Sequence, residues 1–146
     1  MTILQKVQQA KFIKSLNNIY CRLMPCENGI GVFAIRHIPK LTNPFKENYN
    51  ESFMLIEIDK LTNVDSGILK IIKDFCPLQD KYYIVPKRGL GVIDISFYVN
   101  HSLQHNIIIN KKNLNFYTIR DIKKGEELTV DYNTYDDLVE EYKNNE

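Results

Sequence analysis

The chain has 146 residues, 44% of them hydrophobic, with 19 Lys and Arg against 18 Asp and Glu and a net charge of +1. That length sustains one domain with its own hydrophobic core. The near balance of charge lacks the basic excess of a phosphate-binding surface, so direct nucleic-acid binding is not expected, while a local acidic groove for a basic peptide stays open.

Cys21, Cys26 and Cys76 are an odd number of cysteines at irregular spacing. They read as reduced thiols of an intracellular protein, cytoplasmic or nuclear, and not as a disulfide framework or a four-ligand zinc site. No apolar run reaches the roughly 20 residues that a membrane span needs, and the first residues lack the apolar centre of a signal peptide.

In chain order, Ile3, Val7, Ala10, Ile13 and Leu16 recur at helical spacing and predict a short amphipathic helix over 3–16. Its apolar side is expected to cover the domain's own core, with self-association as the alternative. Ile19 to Met24 and Gly31 to Ile35 read as strands, separated by Pro25 and the turn residues Glu27, Asn28 and Gly29. Phe53 to Ile58 and Tyr82 to Val85 are further strands, rich in aromatic and branched residues. Between them Ser66 is placed to cap a helix carrying Ile68, Ile71, Ile72 and Phe75, which Pro77 ends. Asn106 to Asn110 and Asn115 to Ile119 form a hairpin pattern, and Glu127 to Tyr132 alternates as another strand after a turn through Gly125. Tyr135 to Lys143 is expected to be a terminal helix. Many short strands framed by minor helices predict a mostly β domain.

Three segments carry residues suited to chemistry. Gly29-Ile30-Gly31-Val32-Phe33-Ala34 offers glycines that permit positive φ and close backbone approach, though a glycine pair entering a strand is also an ordinary turn. Tyr98-Val99-Asn100-His101-Ser102 offers short-range donors and acceptors at a bend, or an Asx-type turn with a partly buried histidine. His101 and His105 are four apart but have no third ligand, so no metal site is expected. Ile122 to Tyr132, followed by Tyr135, reads alone as a charged turn, a half-buried strand and an aromatic plug.

Taken in order, GxGVFA, NHS and IKKGEELTVDY resemble the SET-domain family of lysine methyltransferases over roughly residues 19–135, at the compact size of its viral-type members. The resemblance implies a β-clip fold of several short sheets and a few short helices. A C-terminal pseudoknot would thread the last segment through a loop closed by the NHS region. The implied organisation is an N-terminal helical segment at 1–18, a catalytic domain at 19–135 and a C-terminal helix at 136–146.

It further implies that Gly29, Ile30, Gly31, Val32, Asn100 and His101 hold S-adenosylmethionine, and that Tyr132 is the catalytic tyrosine where methyl donor and lysine meet. Tyr135 or Tyr142 is expected to cover the adenine, and Phe97, Tyr98, Phe116 and Val130 to line the lysine channel. The partner would be a protein or peptide, histone or not, presenting a lysine. The alternative is a catalytically silent SET-like domain that binds a protein partner, and an unrelated small β domain is a third reading. Four positions depart from the family pattern: Phe97 for arginine, Leu103 for cysteine, His105 for proline and Leu41 for glycine. The flanking zinc-binding cysteine clusters are missing, and Val130 takes a position where relatives carry Phe or Tyr.

Overall fold

The computed structural model describes residues 1–45, 53–110 and 115–135. The described residues form two α-helices and nine short strands: α1 (Ile3–Leu16), β1 (Cys21–Cys26), β2 (Gly29–Ala34), β3 (Phe53–Glu57), α2 (Ser66–Phe75), β4 (Leu78–Gln79), β5 (Tyr82–Pro86), β6 (Asn100–His101), β7 (Ile107–Ile109), β8 (Phe116–Thr118) and β9 (Glu127–Val130). The strands form a four-stranded sheet ordered β1-β2-β9-β6, a three-stranded sheet ordered β3-β5-β4, and the β7-β8 pair. The domain is therefore mostly β, in several small sheets, as the turn spacing predicts.

Local chemistry sets most element ends. β1 runs through Pro25 to Cys26 and pairs with β2 from Cys21↔Ala34 to Cys26↔Gly29. The proline that was expected to end this strand is tolerated because β1 is a sheet edge, where a missing N–H breaks no ladder. Gly29 takes φ +102° at the turn, a conformation that a side chain would strain. The cap of α2 is Asp65, not Ser66: its carboxylate accepts from Gly67 N at 2.8 Å, and the helix begins one residue later than the cap. The expected strand Glu127 to Tyr132 ends at Val130, and Tyr132–Tyr135 forms a 3-10 turn. The helix expected from Tyr135 to Lys143 lies, beyond Tyr135, outside the described residues.

Helix α1 forms as predicted and carries a full capping box, Thr2 with Gln5. It does not cover the core, since none of its residues is buried. At about 100° per residue, Phe12 points away from Ile3, and Lys14 falls beside Ile3 and Val7, so the apolar residues share no single face. Arg36 fastens the helix end by donating to the Asn17 carbonyl while stacking 4.1 Å over Tyr20.

Two cores hold the domain. The larger gathers Val32, Ile38, Val99, Ile107, Ile122, Leu128 and Val130 around the four-stranded sheet. The smaller packs Leu61, Ile72, Cys76, Tyr83 and Val85 between α2 and the three-stranded sheet. Thr118 ties the β7-β8 pair to the turn after Pro39: its hydroxyl donates to the Pro39 carbonyl at 2.7 Å and accepts from Thr42 N at 3.0 Å, and its carbonyl accepts from Leu41 N at 2.9 Å. That lacing holds Leu41 at φ +63° with its side chain 74% exposed.

Two predictions follow from this packing. A leucine in the left-handed region costs about 1–2 kcal/mol, and little burial is lost on removing it. Leu41→Gly is therefore expected to gain about 0.5–1 kcal/mol in urea unfolding, after the added unfolded-state entropy of glycine is subtracted. Burial pushes the Cys21 thiol up to about 12 and the Cys76 thiol up to about 11. The folded state thus keeps protons that the unfolded state releases above the ordinary thiol value of 9.0. Melting temperature should hold steady below that pH and fall as pH rises towards 11, and Cys76→Ala should flatten part of the fall.

Candidate active site

Strand β9 brings the sequence motifs together. It pairs antiparallel with β2 through Val32↔Leu128 and Phe33↔Glu127, and parallel with β6 through Asn100↔Thr129 and His101↔Val130. Leu128 and Val130 point into the core, which leaves Glu127 and Thr129 on the opposite face. Asn106 bolts the strand in place: its side chain donates to the Glu127 carbonyl at 2.8 Å and accepts from Thr129 N at 2.9 Å. Its own N–H donates to the Thr129 carbonyl at 3.1 Å. Asn106 is thus a structural residue of the NHS segment.

Hydrogen bonds connect all three motifs. The Asn100 side-chain amide donates to the Ile30 carbonyl at 3.1 Å and to Glu127 Oε1 at 2.8 Å, with Cys26 Sγ at 3.5 Å. His101 Nδ1 accepts from Tyr132 N at 3.0 Å, and Asp131 Oδ1 lies 3.7 Å from the same nitrogen. An acceptor at Nδ1 places the ring proton on Nε2. The His101 ring is exposed, not partly buried, and lies 5.3 Å from the Tyr132 ring. Ile30 and Gly31 thus lie against the Asn100 side chain.

The two glycines of the GxG turn serve different purposes. A Cβ on Gly29 would meet nothing within 4 Å, so that backbone faces open space. A Cβ on Gly31 would lie 2.3 Å from Glu127 Oε1 and 3.1 Å from Asn100 Nδ2. Gly31 therefore makes room for a carboxylate of this chain, a residue not singled out in the sequence. The register of β9 carried the signal, because Glu127 shares its face with Thr129, the partner of Asn100.

Tyr132 faces both ways. Its backbone is held by His101, and its hydroxyl donates to the Val99 carbonyl at 2.6 Å. Burial raises the phenol above its ordinary value, so it stays protonated near neutral pH. The side chain also borders a cavity of about 340 Å³ between the two cores. Phe53, Phe75, Ile84, Phe97 and Phe116 give this cavity an apolar wall. Of the four residues expected in a lysine channel, Phe97 and Phe116 border this cavity, whereas Tyr98 packs at a tilt against Phe75 at 4.8 Å and Val130 is fully buried in the larger core. Tyr135 closes the 3-10 turn that Tyr132 opens, and Tyr142 lies outside the described residues. Among the described residues, no group of three or more His, Cys, Asp or Glu is arranged to hold a metal ion.

The clash geometry gives a direct test. Gly31→Ala is expected to cost about 1–3 kcal/mol by overpacking against Glu127, read from urea unfolding. Combining it with Glu127→Ala should restore part of that loss.

A SET domain family profile matches residues 29–133. No curated protein matches the chain. Among solved structures, the chain is similar to that of a Plasmodium falciparum protein described as a candidate histone methyltransferase. Identity is 17%, with 78% of this chain and 93% of that chain covered and a TM-score of 0.45. With the profile spanning most of its length and all three motifs hydrogen-bonded at one sheet end, the chain belongs to the SET domain family.

Proposed function

We propose that this protein is an S-adenosylmethionine-dependent methyltransferase acting on a lysine side chain of a protein or peptide. One observation carries the reading: the GxG turn, Asn100-His101 and Tyr132 are hydrogen-bonded into one cluster, whose tyrosine also borders an apolar cavity. The open backbone at Gly29 and the exposed Ile30 form a flat approach for the cofactor, with Asn100 and His101 beside it. Val32 contributes backbone at the same turn, its side chain being part of the core. The resemblance alone gives Tyr135, the last residue of the 3-10 turn that Tyr132 opens, the role of covering the adenine.

When bound, the cofactor supplies an electrophilic methyl group on a sulfonium sulfur. The chain's own residues prepare the nucleophile. A lysine amine has an ordinary pKa of about 10.4 and must lose a proton before it can attack. The apolar wall of the cavity disfavours the ammonium by desolvation. Tyr132 keeps its own proton in a hydrogen bond donated to the Val99 carbonyl, so it orients the amine through its hydroxyl oxygen and does not act as the base. Holding amine and methyl in line provides much of the rate, since a well-aligned pair gains on the order of 7–11 kcal/mol. Threading of β9 between β2 and β6 is the arrangement that a C-terminal pseudoknot requires.

The test is transfer of labelled methyl to a panel of histones and whole-cell proteins. Wild type is expected to label lysine, and Tyr132→Phe to lower kcat by about tenfold or more, equivalent to losing one oriented hydrogen bond. Cofactor affinity in that variant should change little. Cofactor binding by calorimetry separates this reading from a silent protein-binding domain, which would show none.

A further inference from the structure

Glu127 stands in an unusual electrostatic position. It is half-buried at the start of β9, and one carboxylate oxygen accepts from the Asn100 amide at 2.8 Å. The chain leaves space for this carboxylate by having glycine at 31, where any Cβ would lie 2.3 Å from Oε1. No ion pair joins Glu127 to a Lys, Arg or His among the described residues. The other strand-end carboxylates differ: Glu126 pairs with Arg120 at 2.8 Å, and Asp121 faces His37 at 3.4 Å. A half-buried carboxylate with only an amide partner leaves its negative charge unmatched beside the GxG turn.

The charge that Glu127 lacks is the charge that a sulfonium cofactor brings. S-adenosylmethionine carries a sulfonium and an ammonium, and its demethylated product keeps only the ammonium. Glu127 lies one hydrogen bond from Asn100, and Asn100 lies one from the backbone of the GxG turn. We propose that Glu127 is a further cofactor-binding residue of this chain, the counter-charge to the cationic sulfonium end, and that it favours the methyl donor over the spent product. The proposal rests on the methyltransferase reading above. Loss of the sulfonium charge on transfer removes part of the attraction, so the same carboxylate helps product to leave.

Glu127→Gln keeps the shape and the acceptor for Asn100 while removing the charge. Calorimetry would compare S-adenosylmethionine, S-adenosylhomocysteine and 5′-methylthioadenosine, which carry two, one and no cationic groups on the sulfur side of the nucleoside. The variant is expected to lose about tenfold or more in affinity for the first, less for the second and nothing for the third. Equal losses for all three, or no loss for the first, would overturn the proposal and leave Glu127 a structural residue. Should the variant not fold, the wild type decides alone: it is expected to bind S-adenosylmethionine more tightly than S-adenosylhomocysteine, and equal or reversed affinities overturn the idea. A wild type that binds none of the three ligands instead removes the methyltransferase reading itself.

Discussion

Strand β9 is the constraint on which this molecule depends. Four residues serve two faces at once: Leu128 and Val130 fill the larger core, while Glu127 and Thr129 back the site. The strand is clamped between β2 on one side and the two-residue β6 on the other. Asn106 substitutes for the ladder bonds that so short a partner cannot supply, satisfying backbone groups at both Glu127 and Thr129. Shifting β9 by one residue would expose Leu128 and Val130 and bury a carboxylate, so its register is strongly fixed. The positions of Glu127, Asn100 and Tyr132 inherit that precision from apolar packing.

The junction of two cores provides the other half of the design. Val99 of the larger core and Cys76 of the smaller one both border the cavity, with Tyr132, Phe75 and Ile84 completing its wall. The cavity opens to solvent with a mainly apolar wall, the kind of concave surface in which ligands bind. Gln79 bridges the two halves, donating to the Tyr132 carbonyl at 3.4 Å. The backbone of Tyr132 is thereby contacted from both sides, by His101 and by Gln79.

Much of this was legible in the sequence, for identifiable reasons. Turn glycines at 29 and 125 both adopt positive φ, and the alternation after Gly125 marked β9 as a strand, although the resemblance put Val130 in a channel and not in the core where it lies. The hairpin of β7 and β8 was readable because its pairing is local. What could not be read was non-local. A two-residue strand such as β6 has no periodicity, so its parallel pairing with a segment nearly thirty residues away left no pattern. The helix α1 misled because its spacing satisfied a helical template while its apolar residues spread around the axis. Leu41 marked its own backbone: the family's glycine position proved to be a left-handed one, occupied here by a residue that dislikes it.

The parallel pairing of β6 with β9 also governs when the site comes into being. Asn100 and His101 have no sheet partner until Thr129 and Val130 arrive. Closing that long loop is an entropic expense met late, after local hairpins and helices have formed. A chain still on the ribosome, synthesised through the NHS tripeptide, has its glycine turn but lacks β9 and the Ile107, Ile122, Leu128 and Val130 of the larger core, and so has no place for a ligand. Ligand binding reports completion of the fold, and saturating ligand should slow unfolding by holding together the last contact to form.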